Sequence, residues 1–176
     1  MTVAYQGAEG AFSHEACLLC LPDHEPLAFA SFLEVIGAVQ RGEVDLGILP
    51  LANNAAGETG ARELIDKAKL YIVGEPVLPI RMHLLGRPLA RLDQIRTIVS
   101  HPVALRQCAR SVAALGLATE ETSNTALAAR NLTNPSRAVL ASERAAAIYG
   151  LTILRRDMHD RPDNETRFAI VSREEP

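Results

Sequence analysis

Short apolar runs and amphipathic segments alternate along the whole chain. Strands are predicted at residues 3–5, 46–50, 97–99, near 118, 137–140, 151–155 and 166–172. Helices are predicted at residues 15–21, 32–41, 62–68, 102–115, 125–132 and 143–149, several with a Ser before the first turn and a Gly after the last. This alternation is typical of an α/β fold with a mainly parallel sheet that helices cover on both faces.

Residues 70–85 interrupt the alternation with a long extended run. Pro76 and Pro79 lie within it, and proline cannot donate the backbone hydrogen bond that a central strand requires. The run therefore suits a crossing segment between two lobes with a cleft between them. Lobe 1 is predicted to span about residues 1–76 with a C-terminal return at about 158–176, and lobe 2 about residues 77–157.

Composition places the 176 residues in an ordinary globular class. Hydrophobic residues make up 48%, mean hydropathy is +0.06, and no apolar run approaches the roughly 20 residues of a membrane span. The net charge of −3 offers no general attraction for nucleic acid. Three cysteines, with no basic and apolar leader at the start, predict a cytoplasmic location. Sixteen of the 18 basic residues are Arg, which suits carboxylate binding, although genomic base composition explains the excess equally well.

Four predicted helix starts carry a Ser directly after a strand or turn, namely Ser13, Ser100, Ser123 and Ser142. Such a start offers backbone N–H groups, a hydroxyl and the positive end of the helix dipole, which together suit an anion. Serine also caps helices where no ligand binds, and that explanation suffices for any single one. Several starts at one cleft would favour a small, multiply carboxylated ligand.

Two further motifs give little support to cofactor binding. The glycine turn at residues 7–10 lacks the spacing of a phosphate-binding loop, which argues against a nucleotide. Cys17 and Cys20 have C-x-x-C spacing beside His14 and His24, which allows a zinc or redox site. The surrounding leucines favour packing of both cysteines in the core instead. These motifs therefore favour neither a nucleotide nor a metal site.

Residues 157–168 form the most polar segment of the chain and lie between two apolar strands. A solvated loop with local ion pairs is the simplest interpretation, and such pairs contribute little to stability. Thr166-Arg167-Phe168 is more specific. At the start of a strand it would present a hydroxyl, a guanidinium and an aromatic ring on alternating sides.

Taken in order, these motifs make the chain resemble the catalytic domain of prephenate dehydratase over nearly all of its length. The most specific pieces are S-H-P-x-A-L-x-Q-C at residues 100–108 and N-x-T-R-F at residues 164–168. The weaker pieces are A-Y-Q-G at 4–7, F-S-H-E-A at 12–16, G-E-V-D at 42–45, L-P at 49–50 with Asn53 and Gly57, V-G-E at 73–75, T-A-x-A-A at 125–129 and Y-G-L at 149–151.

The resemblance implies a two-lobed α/β fold like that of type II periplasmic binding proteins, with the active site in the interlobe cleft. It implies a lyase of phenylalanine biosynthesis that converts prephenate to phenylpyruvate, water and carbon dioxide without a cofactor. It favours a homodimer. Family members commonly carry a regulatory ACT domain, which we do not expect within residues 1–176, so a separate ACT segment is a candidate partner.

The resemblance also assigns roles to individual residues. Thr166 would contact the leaving hydroxyl, and Asn53 and Gln107 would orient the substrate. Arg167 would clamp a carboxylate or turn away and hold the loop. The remaining substrate contacts are predicted at Ser100, Ser123, Thr125 and Phe168, with Ser13 a weaker candidate.

One departure from the family pattern P-I-E-N-S-x-x-G affects this assignment. Ala52 and Asn54 stand where Glu and Ser are usual. If that carboxyl positions the leaving hydroxyl, turnover is expected to be slow or altered. Three alternatives stay open: a prephenate decarboxylase that does not aromatise the ring, an arogenate dehydratase, and a non-catalytic carboxylate-binding module.

Overall fold

A computed structural model describes residues 1–175, which divide into two compact units. Unit 1 comprises Met1–Ala8, Phe12–Pro79 and the chain from Glu165 onward, and unit 2 comprises Glu9–Ala11 and Ile80–Asn164. None of the helices in the described part of the chain has both the length and the apolar character that a membrane span requires.

Unit 1 is built on a seven-stranded sheet with three helices. Its strands are β1 (Thr2–Gln6), β2 (Glu25–Phe29), β3 (Leu46–Asn53), β4 (Gly57–Glu58), β5 (Tyr71–Gly74), β6 (Val77–Pro79) and β12 (Glu165–Ser172), and its helices are α1 (Phe12–Cys20), α2 (Phe32–Arg41) and α3 (Ala61–Ala68). The strand order is β2-β1-β3-β12-β5, with β4 paired to β3 and β6 paired to β12. The strands β2, β1 and β3 are parallel, whereas β12 is antiparallel to β3, β5 and β6.

Alternating residues of the unit 1 strands supply two apolar layers, because successive side chains of a strand point to opposite faces. Ala4 and Leu49 pack with Val35 of α2 and Ile65 of α3 on one face. Tyr5, Ile48 and Phe168 pack with Cys17 of α1 in a second cluster. The central strands are therefore buried from both sides.

Unit 2 is built on a five-stranded sheet of order β11-β7-β10-β8-β9. Its elements are β7 (His83–Gly86), a 3₁₀ turn (Leu92–Gln94), β8 (Thr97–Ser100), α4 (Pro102–Gln107), α5 (Ala109–Leu115), β9 (Ala118–Glu121), α6 (Thr125–Arg130), β10 (Arg137–Ala141), α7 (Glu143–Tyr149) and β11 (Thr152–Arg155). The strands β10, β8 and β9 are parallel, and β7 is antiparallel to both β10 and β11. Leu85, Val99 and Val139 form its core with alanines of α6 and α7.

Two unit boundaries lie at residues 79/80 and 164/165, three and seven residues beyond the positions proposed from the sequence, about 76/77 and 157/158. Glu9–Ala11 also belong to unit 2, although the sequence placed them in lobe 1. The strand β6 stays in unit 1 because it pairs with β12. Residues 158–164 stay in unit 2, since the backbone N–H of Met158 donates to Met82 O and that of Ile80 to Asn164 O, both at 2.8 Å.

Several predicted elements need correction. The sheets are mixed rather than mainly parallel, because β12 runs antiparallel to its neighbours in unit 1 and β7 does so in unit 2. The strand β2 was not predicted. The helix expected over residues 102–115 is broken at Cys108, whose φ of −114° and ψ of 17° lie outside the helical region.

Candidate active site

Thr166 and Asn53 meet in unit 1, where β12 runs antiparallel to β3. The two residues are direct partners in the strand register, and their side chains are 7% and 9% exposed. The Asn53 Nδ2 donates a hydrogen bond to Thr166 Oγ1 at 3.0 Å. The structure thus joins two of the residues that the motifs single out, although 113 positions separate them along the chain.

The orientation of the Asn53 amide follows from the turn after β3. Its Oδ1 accepts the backbone N–H of Ala55 at 2.8 Å and that of Ala56 at 2.9 Å. Because an amide has only one oxygen, the Nδ2 group must be the one that faces Thr166. The Thr166 oxygen is therefore an acceptor in this pair, and its hydroxyl proton is directed away from Asn53.

Asn54 links the same turn to the residue before Thr166. Its Oδ1 accepts the backbone N–H of Glu165 at 3.1 Å, and its own backbone N–H donates to Glu165 O at 3.1 Å. These two bonds continue the contact between the two chain segments beyond the end of β3. The Asn that replaces the usual Ser therefore helps to fix the backbone that carries Thr166.

Ala52 and Arg167 lie on the other face of the same strand pair. They are register partners, and each neighbours a residue of the Asn53–Thr166 pair along its strand. Successive residues of a strand point to opposite faces, so a carboxyl at position 52 would face Arg167 rather than the Thr166 hydroxyl. Arg167 Nη1 lies 3.8 Å from a carboxylate oxygen of Glu75. The register thus argues against the hypothesis that the missing Glu alters the hydroxyl chemistry directly.

Two unit 1 predictions are corrected. Phe168 is 1% exposed and packs among Tyr5, Ile48 and Leu78, so its ring is part of the core rather than a substrate contact. Ser13 is 8% exposed and lies inside α1, which begins at Phe12, so it is not the N-cap of that helix.

Gln107 in unit 2 is the last residue of α4 and is 8% exposed. The backbone carbonyl of Gln107 accepts the backbone N–H of Asp160 at 2.7 Å. The carboxylate of Asp160 in turn accepts backbone N–H groups at the start of α5. From the sequence Asp160 belongs only to the polar segment 157–168, and no local motif marks its contact with a helix about 50 residues earlier.

The remaining predicted helix-start residues of unit 2 divide into two kinds. Ser100 is fully buried and its hydroxyl donates to Leu140 O at 3.1 Å, while His101 rather than Ser100 caps α4. The ligand role predicted for Ser100 therefore conflicts with its fixed hydrogen bond. Ser123 is exposed and precedes the true N-cap of α6, Asn124, whose Oδ1 accepts the backbone N–H of Leu127.

Ser142 behaves as predicted for a cap. Its Oγ accepts the backbone N–H of Ala145 at 3.0 Å and also donates to Gly10 O at 2.7 Å. Of the four serines proposed at helix starts, it is the one that occupies an N-cap position.

A cavity of about 570 Å³ opens beside Ser123. Glu120 and Glu121 line it, and Arg137, which also lines it, is already paired with Glu120 at 2.6 Å. Two carboxylates at the wall disfavour a dianionic ligand. The cavity is therefore not a suitable place for a dicarboxylate.

Burial accounts for the main pKa shifts of possible nucleophiles and bases. It raises the pKa of the Cys17 and Cys108 thiols to about 12 each, so neither is a ready thiolate. It lowers the pKa of His83, whose Nδ1 accepts the backbone N–H of Asp157 at 3.0 Å. Within residues 1–175, no three His, Cys, Asp or Glu side chains are grouped closely enough to hold a metal ion.

Comparison with known proteins gives one consistent match. A family model described as Prephenate dehydratase covers residues 3–176. Arogenate dehydratase/prephenate dehydratase 2, chloroplastic, of Arabidopsis thaliana is 38% identical over 98% of this chain and 46% of its own length. A bifunctional N-acyl-homoserine lactone acylase/prephenate dehydratase of Komagataeibacter europaeus is 37% identical over 97% of this chain and 62% of its own length.

Solved structures agree with this match. The prephenate dehydratase of Arthrobacter aurescens, in complex with L-Phe, superposes over the whole chain and 61% of its own with a TM-score of 0.90 and 29% identity. Lipoprotein Tp32 of Treponema pallidum has a TM-score of 0.53 at 12% identity, over 97% of this chain and 82% of its own. At that identity the likeness shows only the fold. Together they confirm the predicted α/β fold class. This chain spans about half the length of its plant relative.

Proposed function

The chain belongs to the prephenate dehydratase family, and on that premise we propose that it catalyses the decarboxylating dehydration of prephenate to phenylpyruvate. This would make it a carbon–oxygen lyase of phenylalanine biosynthesis. The names of the relatives from Arabidopsis thaliana and Komagataeibacter europaeus support the activity. Because those relatives are longer, activity, substrate and partners are proposed for this chain.

The reaction defines what the protein has to supply. The bond between the ring and its carboxylate breaks and gives carbon dioxide, and the electron pair restores aromaticity as the 4-hydroxyl leaves. That oxygen takes up one proton and departs as water. Prephenate carries two carboxylates, so the site must bind a dianion and stabilise the departing oxygen.

The Asn53–Thr166 pair is the observation that carries this proposal. Asn53 donates to Thr166 Oγ1, which leaves the threonine hydroxyl to act as the donor toward the departing oxygen. An unperturbed aliphatic hydroxyl is a poor acid, so we assign it as an oriented hydrogen-bond donor that assists departure, directly or through a water.

Other residues are proposed with narrower roles. Gln107 orients the substrate, and Thr125 donates to one of its carboxylates. The carboxylates of Glu120 and Glu121 beside Ser123 disfavour the same role for Ser123. Arg167 turns away from the substrate and holds the loop, the second of the two roles predicted for it, which its 3.8 Å contact with Glu75 supports.

Turnover of prephenate at neutral or higher pH, followed by phenylpyruvate formation, tests the proposal, because spontaneous acid-driven conversion is then small. We expect Thr166→Val to lower kcat by about 10²-fold or more, and Thr166→Ser, which keeps a hydroxyl, to retain most activity. Folded protein without turnover above the blank overturns the proposed activity. Full activity in Thr166→Val overturns the role of Thr166.

Product analysis separates the alternatives. The name of the Arabidopsis relative makes arogenate the first alternative substrate, and phenylalanine formed from arogenate would select it. A product that retains the 4-hydroxyl would select a decarboxylase that does not aromatise the ring. Tight binding of prephenate without conversion would select a carboxylate-binding module.

A homodimer, a separate ACT segment as regulatory partner and a cytoplasmic location complete the proposal. The family supports the first two, and three free cysteines suit a reducing compartment. Light scattering, activity with added phenylalanine, and cell fractionation test them in turn.

A further inference from the structure

Asp160 bridges the break between α4 and α5. Its backbone N–H donates to the carbonyl of Gln107, the last residue of α4, at 2.7 Å. Its carboxylate accepts the backbone N–H of Arg110 at 2.9 Å through Oδ2 and that of Ser111 at 3.3 Å through Oδ1. One loop residue thus holds the end of one helix and the start of the next.

The helix break explains why such a residue is needed. The first N–H groups of any helix have no partner within it, and α5 begins after Cys108, whose side chain makes no capping hydrogen bond. An aspartate is among the best capping side chains, and its charge suits the positive end of the helix dipole. Asp160 supplies this cap from a distant loop.

The same contact fixes Gln107. The helix α4 has six residues, too few to be stable by its own hydrogen bonds, so its last turn depends on outside contacts. At the other end His101 Nδ1 accepts the backbone N–H of Val103 at 3.2 Å. With both ends held, the buried Gln107 side chain leaves the backbone from a defined position.

We propose that Asp160 is a positioning residue for the reaction and acts through Gln107. The inference rests on the proposed function, in which Gln107 orients the substrate. A cap that merely stabilised the fold would change activity only in proportion to folded protein. Substituting a residue that positions Gln107 changes activity only while the Gln107 amide is present.

A double-mutant cycle tests this difference. We expect Asp160→Ala to lower kcat/KM by about tenfold, because small misplacements of an orienting group have effects of this order or larger. In a Gln107→Ala background the same substitution should change kcat/KM little. Asp160→Ala and Asp160→Asn both keep the backbone N–H that donates to Gln107 O, but Asp160→Asn also keeps a capping oxygen, so it should retain most activity. Asp93→Ala is the matched control, since Asp93 is an exposed carboxylate of unit 2 paired with Arg91 at 3.0 Å.

The inference is overturned if Asp160→Ala lowers kcat/KM, corrected for the folded fraction, by the same factor with and without the Gln107 amide. A loss in Asp160→Asn as large as that in Asp160→Ala overturns it too. If Asp160→Ala does not fold, the cycle is run with Asp160→Ser, whose short hydroxyl weakens the cap without removing it.

An NMR measurement separates failure of the inference from failure of the proposed function. Asp160→Ala should shift the Gln107 side-chain amide signals and speed amide exchange at Arg110 and Ser111, and Asp93→Ala should do neither. If the wild type turns over neither prephenate nor arogenate but these changes occur, the proposed function is contradicted and the positioning of Gln107 by Asp160 is supported. If the wild type is active and the Gln107 signals stay unchanged, the positioning is contradicted and the proposed function is supported.

Discussion

Asn53→Asp is the sharpest test of the paired hydroxyl in unit 1. The substitution keeps the shape of the side chain and the oxygen that accepts from Ala55 and Ala56. It replaces the Nδ2 donor with a second oxygen. The Thr166 hydroxyl, which accepts in the wild type, would then donate its proton to the new carboxylate.

The structure separates the effect on stability from the effect on activity. In Asn53→Asp both turn hydrogen bonds survive and the third reverses direction, whereas burial disfavours the new charge, so the free energy of unfolding should fall, but by less than in Asn53→Ala. Asn53→Ala loses all three bonds, and at about 0.5–1.5 kcal/mol each it should lower that free energy by roughly 1.5–4.5 kcal/mol. Because Asn53→Asp draws away the proton proposed for the leaving oxygen, kcat should fall about 10²-fold or more.

Urea unfolding and phenylpyruvate formation from prephenate, measured on the same preparations, check both expectations. Wild-type kcat in folded Asn53→Asp would refute the assigned direction of the Thr166 proton. A loss of stability as large as that of Asn53→Ala would contradict the expectation that the two turn hydrogen bonds outweigh the burial of the new charge.

Three further predictions concern other parts of the molecule. Ala52→Glu should leave kcat unchanged and change the free energy of unfolding by at most about 1 kcal/mol, because position 52 faces Arg167 on β12 and Glu58 on β4 and cross-strand charge pairs at the surface are weak. A changed kcat contradicts the register argument. Gly10→Ala places a Cβ 2.8 Å from a Cα of α7 at a φ of +80°, so urea unfolding should show a loss about 1–3 kcal/mol larger than in Gly150→Ala, where φ is +64° and no atom lies within 4 Å. Equal losses in the two glycine variants would contradict that close approach. Burial lowers the pKa of His83, so the unfolded chain binds the extra proton and stability should fall as pH decreases below about 6.5. His83→Gln should show a smaller slope over that range, and an unchanged slope would contradict the assignment.

Local signals predicted the helix ends correctly where the end depends only on its own residues. Ser31 caps α2 through the backbone N–H of Glu34, and Gly42 ends that helix at a φ of +73°. Ser142 and Gly150 do the same for α7. Caps of this kind need a hydroxyl or a positive φ within one turn, which a sequence displays directly.

Features that depend on distant partners were not predicted. The break at Cys108 has no proline or glycine to signal it, and the cap that holds it is Asp160, about 50 residues later. The edge strand β2, with the sequence E-P-L-A-F, lacks a regular alternation and is recognisable as a strand only through its pairing with β1.

The family was predicted correctly from the ordered motifs. The catalytic roles of Asn53 and Thr166 stay predictions. Their hydrogen bond depends on the register of β3 and β12, which no motif encodes. The same register determines which side chain a carboxyl at position 52 would face. Reasoning from the motif placed the missing carboxyl near the hydroxyl, whereas alternation along the strand directs position 52 to the opposite face.

The position of β12 between β3 and β5 affects how the chain folds while the ribosome synthesises it. The ribosome synthesises β1 to β6 and all of unit 2 before residues 165–172. The unit 1 sheet is therefore incomplete until its central strand, β12, has been added. Until then β3 and β5 present open edges, which are prone to pair with other chains and so invite chaperone binding. The Thr166 hydroxyl arrives on that last strand. A nascent chain therefore acquires its proposed proton donor only in the step that closes the sheet.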